Sequence, residues 1–320
     1  MKTFSISDAA GEAFRTGFGR PLATTAWGLV LLAPVLIVLG AAVPMFGELS
    51  AAGTFAAGAD PKTLEAELGS IWRFQVWSQL ANLVQLLSVL LVTTAVGRAV
   101  LSGRRRGDPA MFLRVGADEL HVAVVGLAVG VGAILVLVVA AMLAVGVGFA
   151  LWQVAEPWRT LSYIGMGAVV GFGILLLWGR LALMAPASLR YRTFGFEQGW
   201  KLGRGQTWRL FGLLLLMVLI AFGMAVALIA LVVLVAMVFG LGAGALAVDN
   251  PEAWEAWFEG LGEQPGWLIA AGLILLLPMA WLQGFSQVLM TAPYARVVEV
   301  LAREPAPAEP ISADTGLEPL

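Results

Sequence analysis

The chain has no cysteine and a single histidine, His121, among its 320 residues. Without cysteine there is no disulfide, no thiolate ligand for a metal and no cysteine nucleophile. His121 stands beside Asp118 and Glu119, but a metal site needs more ligands at a defined spacing. We therefore interpret His121 as a polar residue at the start of a helix, and we expect neither a metal nor a cofactor.

Charged residues are also scarce. They make up 12% of the chain, whereas hydrophobic residues make up 60%, and a soluble domain averages about 25% charged residues. One run of 39 residues between Arg209 and Asp249 has no charge at all. Because about 20 apolar residues in a helix span a bilayer core of roughly 30 Å, this composition predicts an integral membrane protein.

Six apolar runs predict an all-α fold, a polytopic membrane bundle with transmembrane helices at residues 21–46, 72–100, 120–152, 160–187, 208–240 and 266–292. The chain then divides into three parts. Residues 1–20 form a cytoplasmic amphipathic segment, residues 21–303 form the membrane domain, and residues 304–320 form an acidic, proline-rich tail. The tail has few apolar residues to bury, so we expect it to be disordered.

The basic residues predict the orientation. Sixteen of the 19 lysines and arginines lie before the first span, in alternate gaps or after the last span, and the other three are Lys62, Arg73 and Arg159. Positive residues mark the cytoplasmic side, so we expect both termini in the cytoplasm. No cleavable signal, transit peptide or lipidation motif is evident. We therefore expect a multi-pass protein of a bacterial inner membrane.

Short amphipathic helices are predicted outside the spans. Residues 251–261 place Trp254, Trp257 and Phe258 on one helical face, opposite three glutamates. This pattern predicts an interfacial helix on the outer face of the membrane, and a helix that caps the bundle is the alternative. Similar patterns on the cytoplasmic side cover residues 5–18, the stretch that begins at Asp108, and residues 194–201.

The order of these patterns suggests an internal repeat. Each odd-numbered span follows a short amphipathic segment. The end of the fourth span, Met184-Ala185-Pro186, is similar to the end of the sixth, Met290-Thr291-Ala292-Pro293. The sequence thus predicts three repeated helical hairpins in one orientation.

Two spans carry a stripe of amide side chains. Helical spacing places amides on one face of the second span and on one face of the sixth: Gln75, Gln79, Asn82, Gln85, Gln283 and Gln287. We expect both faces to point into the bundle, because an amide that faces lipid is costly. The stripes form either a polar cleft for a substrate or interhelical hydrogen bonds of about 0.6 kcal/mol per pair, and we favour the hydrogen bonds.

Arginine clusters on the predicted cytoplasmic side indicate contacts with anionic lipid, at about 1 kcal/mol per residue. They are Arg104, Arg105 and Arg106 before the third span, and Arg204 and Arg209 around the start of the fifth. These arginines also fix the topology, and the two roles are compatible. No ionisable residue falls in the middle of a span, which argues against ion-coupled transport.

The stretch from Met184 to Phe211 carries a pattern found in a known family. The matching positions are Ala185-Pro186, Glu197, Trp200, Leu202, Gly205 and Trp208-Arg209. This run resembles the membrane domain of bacterial glycerophosphoryl diester phosphodiesterases, including stand-alone six-span relatives without the catalytic domain. Gly199 stands where that family usually has serine. The resemblance implies a fold and no activity, because catalysis in the fused enzymes belongs to a separate soluble barrel.

These observations favour a protein without catalytic residues. We expect a non-enzymatic membrane protein that organises lipids or protein partners, with membrane lipids and other membrane proteins as partners and no nucleic acid. The alternative is a transporter or permease-like protein for a lipid or a small solute. A continuous cavity along the two amide stripes would favour that alternative.

Overall fold

The computed structural model of this protein describes residues 3–51, 61–101, 111–113, 116–238 and 265–302. Within these ranges every regular element is an α-helix. The helices are α1 (Ile6–Gly19), α2 (Pro21–Ala51), α3 (Pro61–Leu101), α4 (Ala117–Ala150), α5 (Trp158–Leu181), α6 (Met184–Tyr191), α7 (Phe196–Gly203), α8 (Thr207–Val238) and α9 (Pro265–Ala302).

Six of these helices, α2, α3, α4, α5, α8 and α9, are long and apolar enough to cross a membrane. By length and composition the chain is a multi-pass membrane protein, and the predicted all-α bundle of six spans is confirmed. Three helices extend beyond the predicted spans: α2 ends at Ala51, α3 begins at Pro61 and α9 continues to Ala302. The part of α3 that is apolar enough to cross a membrane begins at Trp72, as predicted. Helix α5 ends at Leu181 rather than at residue 187, and the fourth apolar stretch continues through α6 to Tyr191.

A proline explains the early end of α5. Pro186 has no amide hydrogen to donate to the Ala182 carbonyl, and its ring would clash with that carbonyl in a continuous helix. The chain therefore turns after Leu181 and starts α6 at Met184. Pro293, by contrast, lies inside the continuous α9. The two similar stretches thus differ in backbone structure, and the three-hairpin repeat stays a prediction.

Helices α2 and α9 cross at direct backbone contact. A β-carbon on Gly28 would overlap the carbonyl oxygen of Ala280, and a β-carbon on Gly284 would overlap that of Thr24. The contacts pair in opposite order along the two helices, so α2 and α9 run antiparallel. Such close approach is how small residues hold helices together in a bilayer, where lipid removes the hydrophobic driving force.

Helix α1 lies antiparallel along the second half of α9. Asp8 near its start pairs with Arg296, and Phe18 near its end packs on Trp281 at 5.1 Å between ring centroids. Gly17 lies directly against the Phe285 ring. The α1 face turned to the bundle is made of small residues, which are Ala9, Ala10, Ala13, Thr16 and Gly17. Helix α1 thus forms within the predicted amphipathic segment and packs on the bundle.

In the described residues, the spans are packed at one end and largely exposed beyond it. We call the packed end the basic end, because Arg98, Arg180, Arg209 and Arg296 lie there. The large side chains that are fully buried belong to this end: Trp27, Leu31, Leu183, Leu210, Leu213, Met217, Leu289, Val92, Val96, Val125, Val288 and Val297. We call the opposite part the far half. There α4 and α5 expose long apolar stretches, including Val131, Leu143 and Val169.

The short segment Met111–Leu113 departs from the sequence prediction. The sequence predicts a helix from Asp108, but Met111 and Phe112 have φ values of 51° and 62° and are not helical. Left-handed backbone at two consecutive residues with side chains is strained. The strain is offset by burial of Phe112 and by a hydrogen bond of 3.0 Å from the Trp27 indole to the Met111 carbonyl.

Several predictions lie outside the described residues. They concern the interfacial helix with Trp254, Trp257 and Phe258, the arginines Arg104, Arg105 and Arg106, and the tail at residues 304–320. Each of them stays a prediction.

Candidate functional site

Most of the predicted amide stripe does not point into the bundle. The side chains of Gln75, Gln79 and Asn82 on α3 are exposed, and Gln283 on α9 is exposed as well. The expectation of inward-facing amides is therefore wrong for these four residues. The physical reason is that the described residues enclose α3 and α9 mainly towards the basic end, and no described helix covers the face of α3 that carries these amides.

One amide of the stripe does make the predicted interhelical bond. Gln287 on α9 donates from Nε2 to the Thr93 hydroxyl on α3 at 2.7 Å, in a half-buried position. Gln85 is half-buried. Among the described residues, no hydrogen bond joins any two of the six predicted amides to each other. In the described residues, these amides therefore do not form one hydrogen-bonded row.

Arg180 joins three helices at the basic end. It lies at the end of α5 and donates from Nε and Nη2 to the Thr207 hydroxyl at the start of α8, at 3.0 and 2.6 Å. Its guanidinium also stands 5.2 Å from the centroid of the Trp200 ring on α7, a cation–π contact. Arg180 therefore ties α7 and the start of α8 to the end of α5.

Glycines give α7 its close seat on α6. A β-carbon on Gly195 would overlap the backbone around Ser188, and one on Gly199 would press on Met184 at 2.8 Å from its Cα. A β-carbon on Gly203 would lie 3.4 Å from the Arg180 Cγ. The spacing of four residues places the three glycines on one face of the helix. This contact gives a physical reason for the glycine at position 199.

The connection between α5 and α8 is strongly basic. Residues 180–209, which we call the basic connection, contain six basic residues and one acid, Glu197. Glu197 pairs with Lys201 at 2.5 Å, and this partner lowers the pKa of Glu197 below 4.5. The other basic residues besides Arg180 are exposed: Arg190, Arg192, Arg204 and Arg209. Five positive charges of the connection thus lack a carboxylate partner within it.

Aromatic residues border the basic connection. Trp208, next to Arg209, is 70% exposed and lies 5.9 Å from Phe172 and 6.3 Å from Phe211 between ring centroids. Tryptophan beside arginine is typical of the headgroup level of a membrane. The predicted anionic-lipid residues Arg204 and Arg209 are both exposed, and Arg209 directly follows the exposed Trp208.

Arg209 has a second contact that the sequence did not predict. Its Nη1 donates to the Phe4 carbonyl at 3.2 Å. Beside it lies an open pocket of about 500 Å³ that is also lined by the hydroxyl-bearing Ser5 and Ser7. Arg209 thus ties the start of α1 to α8 and still faces open space.

The sequence pattern gave no sign of an ion-pair network around Arg98. Arg98 at the end of α3 pairs with Asp118 at 3.2 Å and with the buried Glu119 at 2.6 Å, both at the start of α4. It also donates to the Phe112 carbonyl at 3.3 Å. Glu119 in turn accepts from the Gly116 amide at 2.7 Å. The charges of this network are visible in the sequence, but their pairing depends on where the backbone places Phe112 and Gly116.

His121 lies in a largely apolar setting. Its ring packs edge-on against Phe194 at 5.1 Å between centroids. Its Nδ1 is buried without a hydrogen-bond partner in the part of the chain that the structure describes. Across those residues, no three side chains of His, Cys, Asp or Glu come together as a metal site would require.

No family model, curated protein or solved structure matches the chain.

Proposed function

We propose that this chain is a non-enzymatic protein of the bacterial inner membrane that organises anionic lipids or protein partners at the cytoplasmic leaflet, with both termini in the cytoplasm. The observation that carries the proposal is the basic connection, residues 180–209. Four of its arginines are exposed, and the exposed Trp208 directly precedes one of them, Arg209. Anionic headgroups neutralise such arginines, and the aromatic side chains suit the same depth.

The same stretch supports a relationship in fold. We propose that the chain is a stand-alone relative of the membrane domain of glycerophosphoryl diester phosphodiesterases. One residue that carries the resemblance, Trp200, has a specific packing role, since its ring stacks on the Arg180 guanidinium. A separate catalytic barrel is not needed for a lipid-organising role.

Lipid retention tests the proposal. The protein is purified in a mild detergent from membranes of defined lipid composition, and the bound phospholipids are quantified. We expect anionic lipid to be enriched over its share in the membrane. The double variant Arg204→Gln with Arg209→Gln should reduce the affinity for anionic lipid up to about 30-fold, because each arginine near the surface contributes about 1 kcal/mol.

The matched control is the double variant Arg73→Gln with Arg159→Gln. It removes the same number of positive charges from the opposite side of the predicted topology. Its lipid enrichment should equal that of the unchanged protein. Equal enrichment in both double variants would contradict the proposal, because the charge of the basic connection would then have no effect on the bound lipid.

The proposed orientation has a direct test, because the chain has no cysteine of its own. Single variants Thr193→Cys and Ala155→Cys place one thiol on each side of the predicted membrane. In intact cells, a membrane-impermeant maleimide should label Ala155→Cys and leave Thr193→Cys unlabelled until the cells are opened. The reverse pattern would invert the topology, and equal labelling would contradict the six-span threading.

One observation favours the transporter as a second candidate. The exposed amides Gln75, Gln79 and Asn82 put polar groups on a surface of the second span. If they mark a path for lipid headgroups, proteoliposomes should accelerate the transfer of a fluorescent lipid between leaflets, and Gln79→Leu should slow it. Transfer at the rate of protein-free vesicles would remove this candidate.

A further inference from the structure

A pocket of about 770 Å³ opens between α1, the last turns of α3 and the last turns of α9. Ligand pockets in proteins commonly have volumes of this size. The residues on its wall that matter here are Glu12, Phe14, Arg15, Phe18, Arg20 and Arg296. The pocket combines charges of both signs with exposed aromatic rings, and each part of the wall has a distinct character.

One wall carries a continuous chain of ion pairs. Glu12 and Asp8 on α1 share Arg15 at 3.3 and 3.2 Å. Asp8 also pairs with Arg296 at 3.1 Å, and Arg296 pairs with Glu299 at 2.8 Å. Among the described residues, this row of ion pairs joins three carboxylates and two guanidinium groups. Glu12 shares the guanidinium of Arg15 with Asp8, so its negative charge is only partly neutralised.

The other side of the pocket carries a lone cation. The guanidinium of Arg20 stands 5.0 Å from the centroid of the Phe112 ring and donates to the Ala99 carbonyl at 3.4 Å. No described carboxylate pairs with it. Arg20 follows the end of α1 and precedes α2, so the chain itself fixes the position of this charge.

Aromatic rings lead from the pocket towards the spans. Phe14 and Phe18 stack at 6.3 Å between centroids and are 40% and 60% exposed. Phe18 packs on Trp281 and Phe285 at 5.1 and 5.2 Å, and both belong to the membrane-spanning part of α9. Because the aromatic surface continues from the charged pocket into the span, the molecule that fits both is an amphiphile.

We infer that this pocket binds a zwitterionic phospholipid, with the phosphate at Arg20, the headgroup ammonium at Glu12 and an acyl chain along Phe18 and Trp281. The charges select the headgroup. A phosphate alone would match Arg20 but would leave Glu12 with only the guanidinium that it shares with Asp8, whereas a headgroup with both signs matches both walls. The inference rests on the proposed role in organising lipids and assigns a lipid class to a second site.

Native mass spectrometry of the detergent-purified protein tests the inference by titration with two lipids. The lipids are dioleoyl phosphatidylethanolamine and dioleoyl phosphatidylglycerol, which share their acyl chains and differ in the ammonium group. The unchanged protein should prefer the ethanolamine lipid. Glu12→Gln should lower the affinity for that lipid about tenfold and leave the glycerol lipid unaffected, on the scale of one charge-assisted contact. An unchanged preference in Glu12→Gln would overturn the ammonium assignment.

Arg20→Gln tests the phosphate end of the same site. It should lower the affinity for both lipids about tenfold, whereas Arg20→Lys, which keeps the charge, should stay close to the unchanged protein. Arg20→Gln with undiminished affinity for both lipids would overturn the inference. If Arg20→Gln does not fold, Phe18→Ser replaces it as the test. The Phe18 ring is largely exposed, and the proposal places the acyl chain of the lipid against it. Undiminished lipid affinity in folded Phe18→Ser would count against the site.

Two controls separate binding in this pocket from general effects of charge and from binding of a free headgroup. Glu156→Gln and Arg159→Gln make the same charge changes in the far half and should leave both affinities unchanged. Soluble phosphoethanolamine should not compete at concentrations that saturate the lipid, and equal competition would assign the pocket to a free headgroup instead. The Arg204 and Arg209 variants lie outside this pocket. Their result decides the proposed function without affecting the result for Glu12 and Arg20.

Discussion

The basic end and the far half of the bundle are built from the same helices, yet only the basic end is packed. Helices α4 and α8 are the most apolar spans, yet only 11% of the most apolar segment of α4 is buried. Helix α3 is less apolar, and 39% of its most apolar segment is buried. Apolar composition therefore inserts a helix into a membrane and does not pack it. Lipid tails solvate apolar side chains as well as another helix does.

The features that hold the basic end together are specific contacts. They include the glycine crossing of α2 and α9, the Arg98 network between α3 and α4, and the docking of α1 on α9. The far half of α4 and α5 has one comparable contact in the described residues, the Tyr163 hydroxyl to the Gly148 carbonyl at 3.2 Å. If stability resides in these contacts, substitutions at the basic end should destabilise the protein more than matched substitutions elsewhere.

The largest effect is expected at the crossing of α2 and α9. Gly284→Val would place side-chain atoms where the Thr24 backbone stands, so the helices must separate. Overpacking of this kind costs about 3 kcal/mol or more, and little monodisperse protein should survive detergent extraction. The measurement is the yield and the thermal midpoint of the purified variant.

Gly171→Val is the matched control for this substitution. Gly171 lies on α5 in the far half, and a β-carbon there would meet nothing within 4 Å. The control should therefore keep the yield and midpoint of the unchanged protein. Similar losses in the two variants would show that glycine as such, rather than the crossing, is needed.

The second prediction compares a buried ion pair with an exposed one. Arg98→Gln would leave Glu119 without its guanidinium, and the Glu119 side chain is only 7% exposed. Breaking a buried pair on one side costs about 3 kcal/mol. Lys201→Gln breaks the Glu197 pair, whose side chains are 67% and 71% exposed, and should leave the thermal midpoint nearly unchanged because solvent screens the pair. Equal shifts in thermal midpoint would contradict the importance of burial.

The sequence predicts the six spans correctly, but it does not predict how they pack. Long apolar runs are sufficient to identify six helices, because length and hydropathy are properties of each segment alone. The inward direction predicted for Gln79 is wrong because it assumes that helices surround every face of a span. The crossing at Gly28 and Gly284 could not be selected among 38 glycines. The Arg98 network needs the left-handed turn at Met111, which no local pattern indicates.

The third prediction uses pH to probe the docking of α1. Burial raises the pKa of Asp8, but hydrogen bonds from Arg296 and Arg15 together outweigh it, so the pKa lies below 3.8. A lowered carboxyl pKa contributes stability that is complete above the ordinary pKa and is lost as the pH falls through the lowered one. Because Asp8 is partly exposed, the contribution should be at most about 1 kcal/mol.

Asp8→Asn should therefore lower the thermal midpoint slightly at neutral pH. The gap between variant and unchanged protein should close as the pH falls below 3.8, because Asp8 itself then becomes neutral. Glu197→Gln, which removes an exposed carboxylate outside this contact, serves as the control and should show a smaller gap. A gap for Asp8→Asn that widens in acid would contradict the ion pair with Arg296.

The smallest effect on stability is expected from substitutions of the amide residues. A glutamine near the basic end and a glutamine in the outer part of α3 can be compared directly. Gln287→Leu removes the bond to the Thr93 hydroxyl between α9 and α3, and hydrogen bonds between membrane helices contribute about 0.6 kcal/mol. Gln79→Leu removes an exposed amide that has no such partner among the described residues and gives the lipid an apolar surface instead, so it should leave stability unchanged or raise it. Steric trapping or reversible unfolding in mixed micelles resolves differences of this size. If Gln79→Leu destabilises the protein more than Gln287→Leu, then the outer turns of α3 are covered in the membrane, and the far half is not an open, loosely packed region.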